Sequence, residues 1–363
     1  MYSEVKRGTR ESMHWLMETV NKVFGSENSI DFEMGFESPF LFTEENIKNT
    51  FYIDDGSKSV SQASVLLSKV SLNGVVIDVA SLGSVCTLKE HRHNGLSTKI
   101  INEIIRVFTK SKVDLLLVSG EIELYKKLDC VRTGSIYIGV AHLLKNESDY
   151  DVRMSNNEGR IKNSYVYQNI HKSEKLRFLR TEEDFNKLMN SSSFNSEGYI
   201  VKLFEIYNWK EEIVAYAVIF KRDGDKRMRI MEYAGSRYAI MHSLGNIMEK
   251  MECTDAYFNI NTEDLDLMDV CSTMEIRLRK ENIPGTVRIL DSNSIIQKLT
   301  PLINERTGGN FELKQETGNK WNFTSKKLSG KINGYGELTS LIFNHDRNSL
   351  GIPLMFTDDL NYI

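Results

Sequence analysis

The chain has 363 residues, 40% hydrophobic and 26% charged, with only 4 prolines; this length points to two or three domains, and this composition excludes a disordered chain. A net charge of −4 without a long basic stripe argues against a general nucleic-acid binder. MYSEVKRGTRESMHW has no apolar signal core, no apolar run reaches membrane-spanning length, and Cys86, Cys130, Cys253 and Cys271 form neither a C-x-x-C pair nor zinc-like spacing, so we expect a cytoplasmic protein with free thiols, no metal and no membrane partner.

Met13, Leu16, Met17, Val20, Val23 and Phe24 fall at helical spacing, and Gly25 stops the helix. Ala63–Leu72 and Val75–Leu88 flank Asn73-Gly74, a strong hairpin signal. Leu96, Ile100, Ile104, Val107 and Phe108 make a second helix. Val113–Val118 is an apolar run predicted as a buried strand, followed by a short helix at Leu124–Leu128 and a strand at Ile136–Leu144. These elements describe a mixed α/β domain over residues 1–145. The polar stretch 146–174 reads as a connection. A second α/β block follows, with a capping box at Thr181 and Asp184. Its strands are Tyr199–Ile206, Ile213–Phe220, Met228–Tyr233 and Ala256–Ile260. Ile240, Met241, Leu244, Ile247, Met248 and Met251 form its helical stripe, read as core packing. The third block, residues 285–363, opens on the strand TVRIL. Asp291 caps a helix through Ile303 that Pro301 should kink or split. FELK and WNFTS read as short antiparallel strands, and Gly336–Phe343 as a short helix.

One stretch carries chemistry. In VCTLKEHRHNGLSTKI, Val85 to Ile100, a strand ends in His91-Arg92-His93-Asn94-Gly95 and a helix begins. A helix N-terminus presents unpaired N–H groups and partial positive charge, so a pyrophosphate fits there; a polar turn before a helix fits the residues too. Arg92-His93-Asn94-Gly95-Leu96-Ser97 has the pattern Arg/Gln-x-x-Gly-x-small, which is weak alone. About thirty residues later, Glu123-Leu-Tyr-Lys-Lys-Leu-Asp-Cys-Val-Arg-Thr-Gly134 places Tyr125 just past the next strand.

Together these segments resemble GNAT-fold N-acetyltransferases. With the second degenerate block, the TVRILD opening of the third and GELTSLIF near the end, the whole chain is similar to the enhanced-intracellular-survival (Eis) type. The resemblance implies two tandem GNAT-like domains, 1–145 catalytic and 146–284 degenerate, then a sterol-carrier-protein-like α+β domain over 285–363. It implies an acetyl-CoA-dependent N-acetyltransferase acting on primary amines of a cationic small molecule, an aminoglycoside or polyamine, in a homo-oligomer, a hexamer in that family. Here Lys89 stands where the family has proline, Ser97 where it has the motif's last glycine, and Asp129 where a glycine follows the tyrosine segment; Asp tolerates unusual dihedrals, so a distorted turn is expected.

Roles follow from the resemblance. Backbone groups of Val85, Cys86 and Thr87 would pair with the pantetheine arm and acetyl oxygen; the alternative is an ordinary strand. Arg92, His93, Asn94, Gly95, Leu96, Ser97 and Thr98 would cradle the pyrophosphate, with His91 structural or solvated. Ser119, Gly120 and Glu121 either touch the pantetheine or substrate or cap a helix. Tyr125 is the candidate general acid, a phenol of pKa ~10 that can protonate a thiolate; a core tyrosine is the alternative. The carboxylate of Ile363 is the candidate general base. From the residues alone, Glu263, Asp264, Asp266 and Asp269 either attract a polyamine or start a solvated helix, and Asp358 and Asp359, just before the terminus, either line a cationic-substrate pocket or, the favoured reading, do not. The rival reading is a catalytically relict lipid- or ligand-binding protein that uses the sterol-carrier-like block.

Overall fold

The computed structural model describes residues 2–25, 38–142, 148–155, 164–190, 198–357 and 361. They form two compact units, one of Met1–Gly134 with Pro284–Ile352 and one of Ser135–Ile283 with Pro353–Tyr362.

The first unit begins with β1 (Lys6–Arg7) and α1 (Met13–Phe24), whose stripe buries Leu16 and Val20. The amide of Gly25 closes α1 on the Asn21 carbonyl at 2.7 Å. β2 (Thr50–Asp54), a fully buried strand absent from the sequence reading, precedes the hairpin β3 (Ser59–Leu72) and β4 (Val75–Thr87). Asn73 and Gly74 both take positive φ, 49° and 86°, as a two-residue turn of matching twist requires. α2 (Leu96–Lys110) buries Leu96, Ile100, Ile101, Ile104 and Phe108 and leads to β5 (Leu115–Val118), parallel to β4. α3 (Glu123–Lys126) follows.

The next strand, β6 (Ser135–His142), belongs to the second unit and pairs antiparallel with β12 (Asp255–Asn261) and β13 (Leu278–Asn282). Sequence alone attached it to the first block, because alternation shows that a strand is buried but not which strand lies beside it. That unit's sheet runs β13-β6-β12-β11-β10-β9-β7, with β7 (Asp151–Met154), β9 (Tyr199–Tyr207), β10 (Ile213–Arg222) and β11 (Arg227–Gly235). α4 (Ser164–Lys172) and α5 (Glu182–Met189) also belong to this unit, as does β8 (Leu176–Leu179), which is not a strand of its sheet, and the Thr181–Asp184 capping box is formed. α6 (Arg237–Lys250) crosses from β11 to the parallel β12, and α7 (Leu265–Thr273) follows. The stretch read as a connection therefore holds β7 and α4. β7 is an edge strand with only Val152 buried, and α4 buries Tyr167, Gln168 and His171, too polar a set to show as an apolar stripe.

β14 (Thr286–Ile289) returns to the first unit and pairs antiparallel with β5, giving the order β1-β2-β3-β4-β5-β14. α8 (Ser292–Thr307) is one continuous helix that contains Pro301, so the helix is not split there. Its buried face, Ile295, Leu299, Leu302 and Ile303, holds it in place of the single lost amide bond. β15 (Glu312–Gln315), β16 (Lys320–Thr324) and β17 (Ser329–Asn333) make a small antiparallel sheet, and α9 (Tyr335–Phe343) packs beyond it.

α8 is tied to the main sheet by charge. Fully buried Asp114 accepts from the Asp78 amide at 2.7 Å, the Ser294 hydroxyl at 2.7 Å and the Lys298 ammonium at 2.6 Å. Lys298→Met leaves that carboxylate without its counter-charge, and should lower unfolding stability by about 3 kcal/mol. Urea denaturation measures this, and Asp114→Asn combined with Lys298→Met should recover much of the loss.

In the second unit, burial pushes the His171 imidazole down to about 4, with Glu232 opposing and Arg180 and Arg177 assisting. The unfolded chain, with a histidine pKa near ~6.5, binds that proton more tightly. Stability from this site is full above ~6.5 and is lost as pH falls towards 4, by up to about 3 kcal/mol. The thermal midpoint of His171→Gln should therefore fall less than that of the parent between pH 7 and pH 4.5.

Candidate acyl-transfer site

The site grows from a parting of strands. β4 and β5 pair only from Val79↔Leu115 to Leu82↔Val118; beyond that β4 continues to Thr87 with β3 alone. Gln62 faces Cys86 while Ser64 faces Gly83, so Ser84 and Val85 share one partner residue. This is a β-bulge, with Ser84 at φ 52°. The bulge turns the free edge of β4 at the residues predicted to hold an extended ligand arm. Val85 joins the core between sheet and α2. Cys86 is 4% exposed in the α1 core, and burial pushes its thiol up to about 12, so it can serve a ligand only through its backbone.

The loop after β4 makes a 3-10 turn at Lys89–His91 and enters α2 through Gly95, at φ 71°. His93 is left-handed too, at φ 65°. α2 has no side-chain cap and no acidic residue in its first turn, and its first intrahelical bond joins the Lys99 amide to Gly95 at 3.1 Å. The preceding amides are therefore available to an anion. Side chains brace this cradle. Asn94 Nδ2 donates to the carbonyls of His91 and Arg92 at 3.0 and 3.1 Å, and Arg92 Nε donates to Thr87 at 3.2 Å. Hydroxyls link Ser61 to Thr87 at 2.8 Å and Thr87 to Ser97 at 2.9 Å, joining β3, β4 and α2. His91 meets the Tyr2 hydroxyl at 3.1 Å, in keeping with a structural role.

Because β4 and β5 are parallel, the segment after β5 leaves from the same end of the sheet. It carries Gly120, Glu121 and Tyr125. Tyr125 is 7% exposed, and burial raises its pKa, so the phenol keeps its proton at neutral pH. Among the described residues its hydroxyl has no hydrogen-bond partner. Its ring lies against Gly120, where a Cβ would stand 2.8 Å from Tyr125 Cε2. Glu121 instead pairs with Arg132 at 3.3 Å. Asp129 takes φ 59°, the conformation its missing glycine would have adopted.

Sequence reasoning missed Ser61, the bulge at Ser84, and two residues of β14. Thr286 donates to the Gly120 carbonyl at 3.1 Å and Arg288 to the Leu128 carbonyl at 2.9 Å. Gly83-Ser84 was the only local hint of the bulge. Asp264 caps α7 by accepting from the Leu267 amide at 3.2 Å and pairs with Arg237 at 2.9 Å, which favours the structural reading of that acidic run. Asp358, Asp359 and Ile363 lie outside the described residues.

The second unit repeats the strand–helix–strand frame without the cradle. Ser236 alone separates β11 from α6, and its side chain caps the helix by accepting from the Ala239 amide at 3.2 Å. Arg237 is held by Glu174 at 2.5 Å and Asp264 at 2.9 Å, and the Gly235 amide is taken by Glu174 at 3.0 Å. Two carboxylates thus stand where an anion would bind.

Residues 4–132 match the family model described as an acetyltransferase (GNAT) domain. No curated protein sequence matches the chain. A probable N-acyltransferase from Enterococcus faecalis is similar in structure, with TM-score 0.64 and 16% identity over 82% of this chain and 75% of that one. A GCN5-related N-acetyltransferase from Anabaena variabilis gives TM-score 0.64 at 12% identity, over 94% and 89% of the two chains. Eis1 from Mycobacterium abscessus gives 0.62 at 9%, over 93% and 89%. The chain has a GNAT-like mixed α/β fold, and the domain match supports an acyltransferase. Among the described residues no helix is long and apolar enough to cross a membrane.

If the cradle holds a pyrophosphate, Gly95→Val should disturb it selectively. No atom lies within 4 Å of a Cβ there, so the cost is the left-handed backbone alone. At about 1–2 kcal/mol, affinity for coenzyme A should drop on the order of 10-fold by calorimetry. Unchanged affinity would remove the loop from the site.

Proposed function

We propose that the chain is an N-acetyltransferase of the Eis type, moving an acetyl group from acetyl-CoA to a primary amine of a cationic small molecule, an aminoglycoside or polyamine. The observation that carries this is the free edge of β4 running into the uncapped start of α2. One strand thereby offers backbone pairing to an extended arm and, at its end, amides to a pyrophosphate. We read the block from β14 to α9 as the sterol-carrier-like part of that architecture, and the assembly as a homo-oligomer, a hexamer by resemblance.

The thioester supplies an activated acetyl group and a thiolate leaving group. The chain's own part is positional and protonic. Arg92 and the amides from His93 to Thr98 hold the diphosphate. The backbone of Val85–Thr87 holds the arm and faces the acyl oxygen, where negative charge develops. Tyr125, buried and protonated, gives its proton to the sulfur as the carbon–sulfur bond breaks. The resemblance assigns proton removal from the amine to the Ile363 carboxylate.

Incubating the protein with acetyl-CoA and a set of polyamines and aminoglycosides should release free thiol with at least one amine. Coenzyme A binding without thiol release from any amine would leave a binding protein. With the active amine, Tyr125→Phe keeps the ring and removes the proton, so kcat should fall on the order of 10²-fold with coenzyme A affinity retained. A raised KM at unchanged kcat would make Tyr125 a packing residue.

A further inference from the structure

We infer that β14, through Arg288 and Thr286, positions Tyr125 for proton transfer, so that residues far along the chain set the geometry of the acid. This rests on the reading of Tyr125 as the acid.

The Tyr125 segment has two flanks, and β14 holds both. Upstream, β5 ends at Val118 and the chain passes through Ser119 and Gly120. Thr286, opposite Val118 in the β5–β14 register, reaches the Gly120 carbonyl at 3.1 Å. Gly120 is the residue against which the Tyr125 ring rests. Gly285, at φ 85°, lies so close that a Cβ would stand 2.3 Å from the Val118 oxygen. Downstream, the Tyr125 carbonyl accepts from the amides of Leu128 and Cys130, both at 3.0 Å. That turn, with Asp129 left-handed, fixes the backbone from which the tyrosine projects. Arg288 Nε donates to the Leu128 carbonyl at 2.9 Å, and its Nη1 to Ile289 at 3.1 Å. The guanidinium is seated over the Tyr335 ring, 4.4 Å from the centroid. Between the two contacts, Val131 and Val287 exchange backbone bonds of 2.9 and 2.8 Å.

Thr286 and Arg288 make these bonds to backbone carbonyls and not to the phenol. Their effect passes through the main chain on either side of Tyr125, which makes them positioning residues. A misplacement of about 1 Å at a reacting group can cost on the order of 10²-fold in rate; losing one of several bonds around the turn shifts Tyr125 by less than that, so a smaller loss is expected. For Arg288 the loss should fall on kcat, because it bonds to the turn after Tyr125, whereas the proposed pyrophosphate cradle lies at the start of α2.

The test is a double-mutant cycle in the full-length protein, with acetyl-CoA and the most active amine of the panel, read as thiol release. Tyr125→Phe is measured first. If it keeps full kcat, the acid reading fails and this inference falls with it. If it loses activity, Arg288→Met and Arg288→Lys are compared in both backgrounds. The expected result for Arg288→Met is a kcat loss on the order of 10-fold with KM for acetyl-CoA within about twofold. Arg288→Lys, which can still donate to Leu128, should restore part of the loss. Neither variant should cost anything further once Tyr125 is Phe. Equal losses in both backgrounds, or none in the parent, would overturn the inference while leaving Tyr125 as the acid. Thr286→Val removes a single bond and serves if Arg288→Met does not fold; it should show the same background dependence, and its failure to do so overturns the inference equally.

Discussion

Everything in the candidate site depends on β4 outlasting its partner. Parallel strands that stay paired satisfy each other's backbone groups and leave nothing for a ligand. Here pairing stops at Leu82 and Val118, yet β4 runs on to Thr87 because β3 still supports it. The backbone groups on the abandoned side then need another partner. The bulge at Ser84 sets their direction, and Ser61, Thr87 and Ser97 tie the free strand to the helix that follows. An apolar stripe from Leu96 to Phe108 anchors α2 against the sheet, so the exposed first turn stays put without a cap. A capped helix would have been more stable by roughly 1 kcal/mol, and would have offered an anion less.

The second unit shows that this frame and this site are separable. It has the same antiparallel strands, the same helix crossing and the same parallel pair. What differs is local. A single serine joins strand to helix, it fills the cap position itself, and Arg237 draws Glu174 and Asp264 towards the helix start. The arginine's charge is spent on internal carboxylates, whereas the Arg92 side chain, among the described residues, is bonded to a backbone carbonyl and pairs with no carboxylate.

How much of this was visible beforehand follows from what a sequence pattern reports. Long amphipathic segments such as 13–24 and 96–110, and the Asn73-Gly74 turn, were legible because spacing and turn chemistry are local properties. The turn that enters α2 was legible too, since a polar knot between an apolar run and a helix is itself local. Partnerships were not. Val152 alone does not announce β7, and nothing within Ser135–His142 says that its neighbours are Asp255–Asn261 and Leu278–Asn282. Thr286 and Arg288 were hidden for the same reason: in sequence they lie far beyond Gly120 and Leu128, and only register brings them there.

The edge of β5 makes this concrete. The strand after α3 leaves to complete the other sheet, so β5 would face water, or another chain, along four apolar residues, Leu115–Val118. An open, flat, hydrophobic edge is a hazard that folded proteins cover. β14 covers it, in a register that places Val287 opposite Leu117 and Thr286 opposite Val118. Once a strand is committed to that register for the sake of the sheet, its side chains necessarily reach the segment that leaves β5, which is the segment carrying Tyr125. The residues matched by the acetyltransferase model, 4–132, therefore include Tyr125 and the proposed cradle but not the complete sheet of which β5 is part. The missing strand comes from the C-terminal block, so that block completes the sheet behind the candidate site by backbone pairing alone.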